Sequence, residues 1–87
     1  MQIVKFGTKW CGPCKMLDPV LALIADEFPE VSITEFDVDE IDREVTESWG
    51  VRGVPATFVL DDDGNRVATI TGAQPARIFR EILAESN

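Results

Sequence analysis

Histidine is absent from this 87-residue chain, cysteine occurs only twice, and basic residues are half as many as acidic ones. Each scarcity excludes something. Without histidine no imidazole base can assist catalysis, and two cysteines supply only half of a tetrahedral zinc site, so a dimer sharing four cysteines would be needed to complete one. Eight lysines and arginines against sixteen acids give a net charge of −8, which would repel nucleic-acid phosphates. No apolar run is long enough to span a membrane. The opening Met1-Gln2-Ile3-Val4-Lys5-Phe6 is too short for the apolar core of a signal peptide and lacks a small-residue cleavage site. Repeats, linkers and low-complexity segments are missing. These absences lead to the expectation of a cytoplasmic protein with neither nucleic-acid nor membrane partners. A structural disulfide would not persist there, so the cysteine pair reads as catalytic or metal-binding.

What is present is ordinary in amount and uneven in placement. A 45% hydrophobic share and a mean hydropathy of +0.01 suit a folded chain, and the length suits one domain over 1–87, at the small end for folding alone. From Met1 to Leu17 there are three lysines (Lys5, Lys9, Lys15) and no acid. From Asp26 to Glu47 there are ten acids and only Arg43. Such a flank either keeps the protein soluble or forms a dipolar surface that orients partners toward the cysteines.

Both cysteines lie in Trp10-Cys11-Gly12-Pro13-Cys14-Lys15. Two residues between them, with Pro13 before the second, fit the first turn of a helix, where a missing N–H costs nothing. Cys11 then stands at the helix start and Cys14 one turn on, with sulfurs close enough to bridge. Unpaired N–H groups and the positive end of the helix dipole favour a thiolate at Cys11. A thiolate there attacks disulfides, and Cys14 is placed to resolve the mixed disulfide. The motif implies thiol–disulfide exchange.

Around it, Gln2–Gly7 reads as a strand and Cys11–Phe28 as a helix with Leu17, Val20, Leu21, Ile24 and Phe28 at helical spacing, kinked at Pro19. Val31–Asp37 is a second strand, which makes a right-handed βαβ unit. Ile41, Val45 and Trp49 give a second helix one apolar stripe, closed by Gly50. Ala56–Leu60 is a continuous apolar strand, and Asp61-Asp62-Asp63-Gly64-Asn65 a hairpin turn lacking the glutamate and spacing of a calcium loop. Val67–Thr71 returns antiparallel, and Pro75 opens a last helix with Ile78, Phe79, Ile82 and Leu83 inward. The order β-α-β-α-β-β-α predicts a four-stranded mixed sheet of the α/β class, order 2-1-3-4. Helices should cover both faces, because Val4, Phe6, Phe58 and Val59 leave neither face polar. The cysteine loop falls at the carboxyl end of a central strand.

The hexapeptide resembles the active-site motif of the thioredoxin family without a change. Pro19, Asp37-Val38-Asp39, Gly50-Val51-Arg52-Gly53-Val54-Pro55 and Gly64 through Gly72-Ala73 fall at family-like spacing, so the resemblance covers nearly the whole chain. It implies a thioredoxin-like fold in a short form, without the family's usual first strand and helix, and hence less cover for one sheet edge. It implies a protein-disulfide reductase with no bound cofactor, cycling through a reversible Cys11–Cys14 disulfide with electrons from an external reductase. The implied partners are disulfide-containing proteins, ribonucleotide reductase among them, and a thioredoxin reductase, met by a monomer. Pro55 becomes a cis proline facing the sulfurs, letting the Val54 backbone pair with an extended substrate, where an ordinary reading would leave a trans proline ending a loop. Gly72 lets that substrate approach, and Trp10, Gly12, Pro13, Val54 and Ala73 make a small apolar docking surface. Trp10 could otherwise be half-buried in the core; Trp49 reads as core.

Two departures from the family touch the site. Gly7 stands where the family has a tryptophan. Lys5 stands where it commonly has a buried aspartate, while Glu35 matches the family's lysine on the adjacent strand. A charge-swapped Lys5–Glu35 pair beneath Cys14 would let Glu35 handle the Cys14 proton. Alternatively Lys5 reaches out to solvent and Glu35 is hydrated. A glutaredoxin-like donor to ribonucleotide reductase or to glutathionylated thiols is the competing enzyme reading, weakened because no glycine and acid pairing for glutathione follows Pro55. A scaffold that tolerates serine at both cysteines is the non-enzymatic one.

Overall fold

The computed structural model describes residues 1–85. Its elements are β1 (Gln2–Gly7), α1 (Gly12–Glu27), β2 (Ser32–Asp37), α2 (Arg43–Trp49), β3 (Ala56–Leu60), β4 (Arg66–Thr71) and α3 (Ala76–Glu85). They form one four-stranded sheet in the order β2-β1-β3-β4, with β1 parallel to β2 and antiparallel to β3, and β3 antiparallel to β4. That is the mixed sheet and strand order the residues predicted.

Alternation along the strands splits the core in two. Ile3, Val59 and Ile70 point to one face and pack with Leu17, Leu21 and Ile24 of α1 and Phe79 and Leu83 of α3. Val4, Phe6, Ala56, Phe58 and Leu60 point to the other, where Phe36, Val38, Ile41, Trp49 and Val51 cover them. On that side Phe6 lies 5.4 Å from the Phe36 and Trp49 rings and 5.7 Å from Phe58, centroid to centroid. The Arg66 guanidinium sits 4.1 Å above the Phe58 ring and donates to the Trp49 carbonyl at 3.0 Å, closing the cluster from outside.

The helices begin and end for local reasons. Cys11 caps α1 with extended backbone, and Pro13 occupies its first turn. The helix runs through Pro19 without a break to Phe28, whose N–H returns to the Ile24 carbonyl before Pro29 ends the run. Gly50, at φ +77°, stops α2 in a left-handed conformation that costs a β-carbon dearly. In the hairpin the Asp61 carboxylate accepts from the Asp63 and Asn65 N–H groups at 3.0 and 2.9 Å, so the acidic turn is a self-bonded one.

Three readings need correction. The stripe expected over Ile41, Val45 and Trp49 is not one helical face: α2 starts at Arg43, buries none of its residues fully, and leaves Val45 39% exposed. Seven residues are two turns, and a strict spacing of four drifts around a 3.6-residue helix, so only its ends, Ile41 before it and Trp49 at its close, reach the sheet. The last helix starts at Ala76, with Pro75 just outside it, its carbonyl accepting from Ile78. The β3–β4 ladder also slips between Val59 and Leu60, an irregularity no residue pattern announced.

One tie between the helices responds to pH. Arg80 of α3 grips Glu27 of α1 with two bonds of 2.7 Å each. The Arg80 hydrogen bonds, helped by its charge, hold the Glu27 carboxyl below its usual value against the opposing cost of burial. A depressed carboxyl contributes stability above its unfolded value and loses it as pH falls through the folded one. Glu27→Gln should therefore lower the urea midpoint slightly near neutrality, and the gap to the parent should close below about pH 4. A gap independent of pH would show that the pair contributes nothing.

Candidate active site

Sheet topology brings three separated segments to one end of the molecule. The turn carrying Cys11 follows the carboxyl end of β1, a central strand. Because β3 is antiparallel to β1, with Phe6 opposite Ala56, its first residues arrive at that same end, and Pro55 just precedes them. Because β4 is antiparallel to β3, with Ala56 opposite Thr71, Gly72 and Ala73 leave β4 there too. The Gly72 N–H bonds the Pro55 carbonyl at 3.0 Å and joins the second segment to the third.

Cys11 and Cys14 form a disulfide with their Cα atoms 5.2 Å apart. The Cys14 N–H donates to the Cys11 sulfur at 3.1 Å, so the sulfur itself caps α1. A sulfur in that place receives a backbone donor and the positive end of the helix dipole, and both favour its anion. Cys11 is half-buried, while Cys14 is only 3% exposed. One sulfur can meet a partner molecule and the other can meet only the first.

The outer surface is open. Trp10 is 87% exposed, and Gly12, Pro13 and Ala73 are exposed with it, so Trp10 is no core residue. Val54 is half-buried, Pro55 is buried, and the peptide between them is cis. Gly72 has φ +80° and nothing within 4 Å of where a β-carbon would stand, so in the free protein its backbone angle, not crowding, asks for glycine.

Lys5 stays inside. It is 6% exposed, and its ammonium bonds Asp18 at 2.7 Å and the Cys14 carbonyl at 3.3 Å, with the Glu35 carboxylate 3.6 Å away. Glu35 and Lys5 stand opposite each other across β2 and β1, and Thr57 continues the row on β3. The Thr57 hydroxyl is buried without a hydrogen-bond partner among the described residues. Asp18 escaped the sequence reading, although it is the first acid in the chain and lies one turn beyond Cys14 on α1, which puts both on one side of the helix. Lys5, Gly7, Cys14, Asp18 and Glu35 line a cleft of about 460 Å³. At Gly7 a β-carbon would come within 3.1 Å of the Cys14 sulfur. At the rim Lys9 bonds Glu40 at 2.9 Å, a contact that raises the lysine's affinity for its proton. Among the described residues no cluster of three or more histidines, cysteines or acids is arranged to hold a metal.

A β-α-β-α-β-β-α chain with a cysteine pair at the start of its first helix and a buried proline at the same end of the sheet defines a thioredoxin-like protein. The thioredoxin family model matches residues 1–85, and the chain belongs to that family. It is 40% identical over 82 residues to thioredoxin H2-1 of Oryza sativa subsp. japonica, covering 94% of this chain and 58% of that protein. With thioredoxin-1 of Saccharomyces cerevisiae it shares 36% over 86 residues, 99% of this chain and 82% of the relative. The crystal structure of the thioredoxin NaTrxh from Nicotiana alata superposes with a TM-score of 0.86 at 31% identity, covering 99% of this chain and 73% of that one. Against three plant thioredoxins of the H group the chain spans 58–64% of their length.

Proposed function

We propose that this chain reduces protein disulfides by dithiol exchange. The observation that carries the reading is the Cys11–Cys14 bridge at the start of α1, with the Cys11 sulfur accepting the Cys14 N–H and only Cys11 reachable from outside. Cys11 is the nucleophile; Cys14 resolves the mixed disulfide; a dithiol reductase of the thioredoxin-reductase class restores the pair. Trp10, Gly12, Pro13, Val54, Gly72 and Ala73, with Pro55 beneath, form the surface on which an extended target segment lies. Targets are disulfide-bearing proteins; one solved structural neighbour concerns a mitochondrial 1-Cys peroxiredoxin resolved through glutathione and thioredoxin systems, which marks peroxidase disulfides as one class to test beside ribonucleotide reductase. The protein works as a monomer in a reducing compartment such as the cytoplasm.

Glu35, 3.6 Å from the Lys5 ammonium, handles the proton of Cys14 directly or through water. Glu35→Gln should alter the pH profile of disulfide reduction; a profile that overlays the parent's removes Glu35 from proton handling.

The reading as a whole is tested by reducing insulin with electrons supplied either through a thioredoxin reductase or through glutathione. Turnover with the reductase supports it. Turnover with glutathione alone would favour the glutaredoxin-like alternative, and no turnover with either would leave a scaffold.

A further inference from the structure

A lysine that is 6% exposed is expensive unless its charge has work or partners. The Lys5 ammonium meets the carboxylates of Asp18 and Glu35, whose side chains are 58% and 55% exposed, and the carbonyl of Cys14. The sulfur of Cys14 lines the same cleft. The point where a Gly7 β-carbon would stand is 3.1 Å from that sulfur and 3.5 Å from Lys5 Cε, so the two side chains are neighbours across a glycine that leaves the space between them clear. We infer that Lys5 is the counter-ion of the Cys14 thiolate, an ammonium clamped by Asp18 beside the resolving sulfur for the moment that sulfur ionises. The inference rests on the exchange reaction proposed above.

The charges around Cys14 decide whether this works. From α1 it is faced by Lys15 and Asp18, from β1 by Lys5, from β2 by Glu35 and Asp37, and from the flanking loops by Lys9 and Glu40, all lining the same cleft. Thr57, opposite Lys5 on β3, adds a neutral hydroxyl. The carboxylates of Asp18, Glu35, Asp37 and Glu40 line this cleft with the ammoniums of Lys5, Lys9 and Lys15, yet those of Asp18 and Glu35 are more than half exposed and Lys9 engages Glu40. Water screens those exposed groups, whereas Lys5 and Cys14 are both buried, so the charge of Lys5 is screened less on its way to the sulfur.

The exchange then balances as follows. The Cys11 thiolate attacks one sulfur of the target disulfide, forming the mixed disulfide and expelling the other sulfur, which takes up a proton. Cys14 releases its proton through Glu35 to solvent, and Lys5 neutralises the thiolate left behind. That thiolate attacks the Cys11 sulfur; the Cys11–Cys14 bond forms, and the second target sulfur leaves and is protonated. Two electrons and two protons pass from the dithiol to the target, and the external dithiol reductase returns them. Asp18 touches no reacting atom and is a positioning residue.

The test isolates Cys14. In Cys11→Ser protein it is the single thiol, so its ionisation can be followed by thiolate ultraviolet absorbance without any activity assay. Adding Lys5→Met should raise the midpoint by about one pH unit or more, and Lys5→Gln should do the same. In the Cys11→Ser protein itself, the Lys5 Cε resonance should move with that same midpoint. A midpoint raised by less than about half a unit, or lowered, in folded Lys5→Met or Lys5→Gln protein overturns the inference, as does a Lys5 resonance blind to the titration. A parent that fails to reduce insulin while these shifts appear would instead sink the exchange reading and leave the pair standing.

Discussion

Cys11→Ser should abolish disulfide reduction, a loss of about a thousandfold or more, while Cys14→Ser should stop turnover yet accumulate a covalent adduct with the target. The asymmetry follows from where the two sulfurs sit. Cys11 caps α1, is half-buried, and accepts the Cys14 N–H; Cys14 is 3% exposed behind it. Serine at position 11 leaves a buried thiol that no protein disulfide can reach. Serine at position 14 leaves an intact nucleophile that forms the mixed disulfide and cannot release it, because the group meant to attack the Cys11 sulfur is gone. Mass spectrometry after incubation with a disulfide-bonded protein reads both outcomes. Equal adduct formation by the two variants would mean that either sulfur can attack first, contrary to the geometry. The trapped adducts from Cys14→Ser also identify the natural targets.

Phe58→Ala should cost about 3–5 kcal/mol. Phe58 is 2% exposed, packs against the Phe6 and Trp49 rings, and lies beneath the Arg66 guanidinium, so its removal empties the centre of the smaller core. A folded chain of this length commonly has about 4–13 kcal/mol of stability in all, and that face of the sheet is covered by a two-turn helix burying none of its residues fully. The variant should therefore be partly unfolded at room temperature. Urea denaturation followed by tryptophan fluorescence checks this, since Trp49 sits in the cluster. A loss below about 1 kcal/mol would mean that the aromatic cluster is not a core. The same change at exposed Trp10 should leave the midpoint within about half a kcal/mol of the parent.

Strand periodicity and turn chemistry carried most of the fold. Ala56–Leu60, apolar but for Thr57, is buried at every position, as a strand with helices on both faces must be. Leu17, Leu21 and Ile24 faced inward as their spacing required, and Gly50 ended its helix. The second helix was misread because apolar residues four apart look the same whether a helix or the loops at its ends present them. The Val59–Leu60 slip was invisible, since ladder register depends on the partner strand.

The site was legible where chemistry dictates spacing and opaque where it depends on depth. Two cysteines with a proline between them required a helix start, and the chain order placed that start at the end of a central strand. Lys5 and Glu35 were paired through the family resemblance alone, and the β1–β2 register sets them opposite each other. What no local pattern revealed was that Lys5 would stay buried and choose Asp18, at 2.7 Å, over Glu35, at 3.6 Å. That choice depends on how α1 lies across β1, a tertiary fact. Charge on an amphipathic helix ordinarily means a solvated face, so Asp18 looked like any other surface acid.

Alkylation of the reduced protein with a small electrophile, followed against pH with the modified residue mapped by mass spectrometry, addresses the helix-capping thiolate itself. Cys11 should react first at every pH, and its rate should fall only below about pH 7, well under the range where an unperturbed thiol loses reactivity. A Cys11 rate that climbs only near pH 8.5, as for a free peptide thiol, or earlier modification of Cys14, would contradict the account.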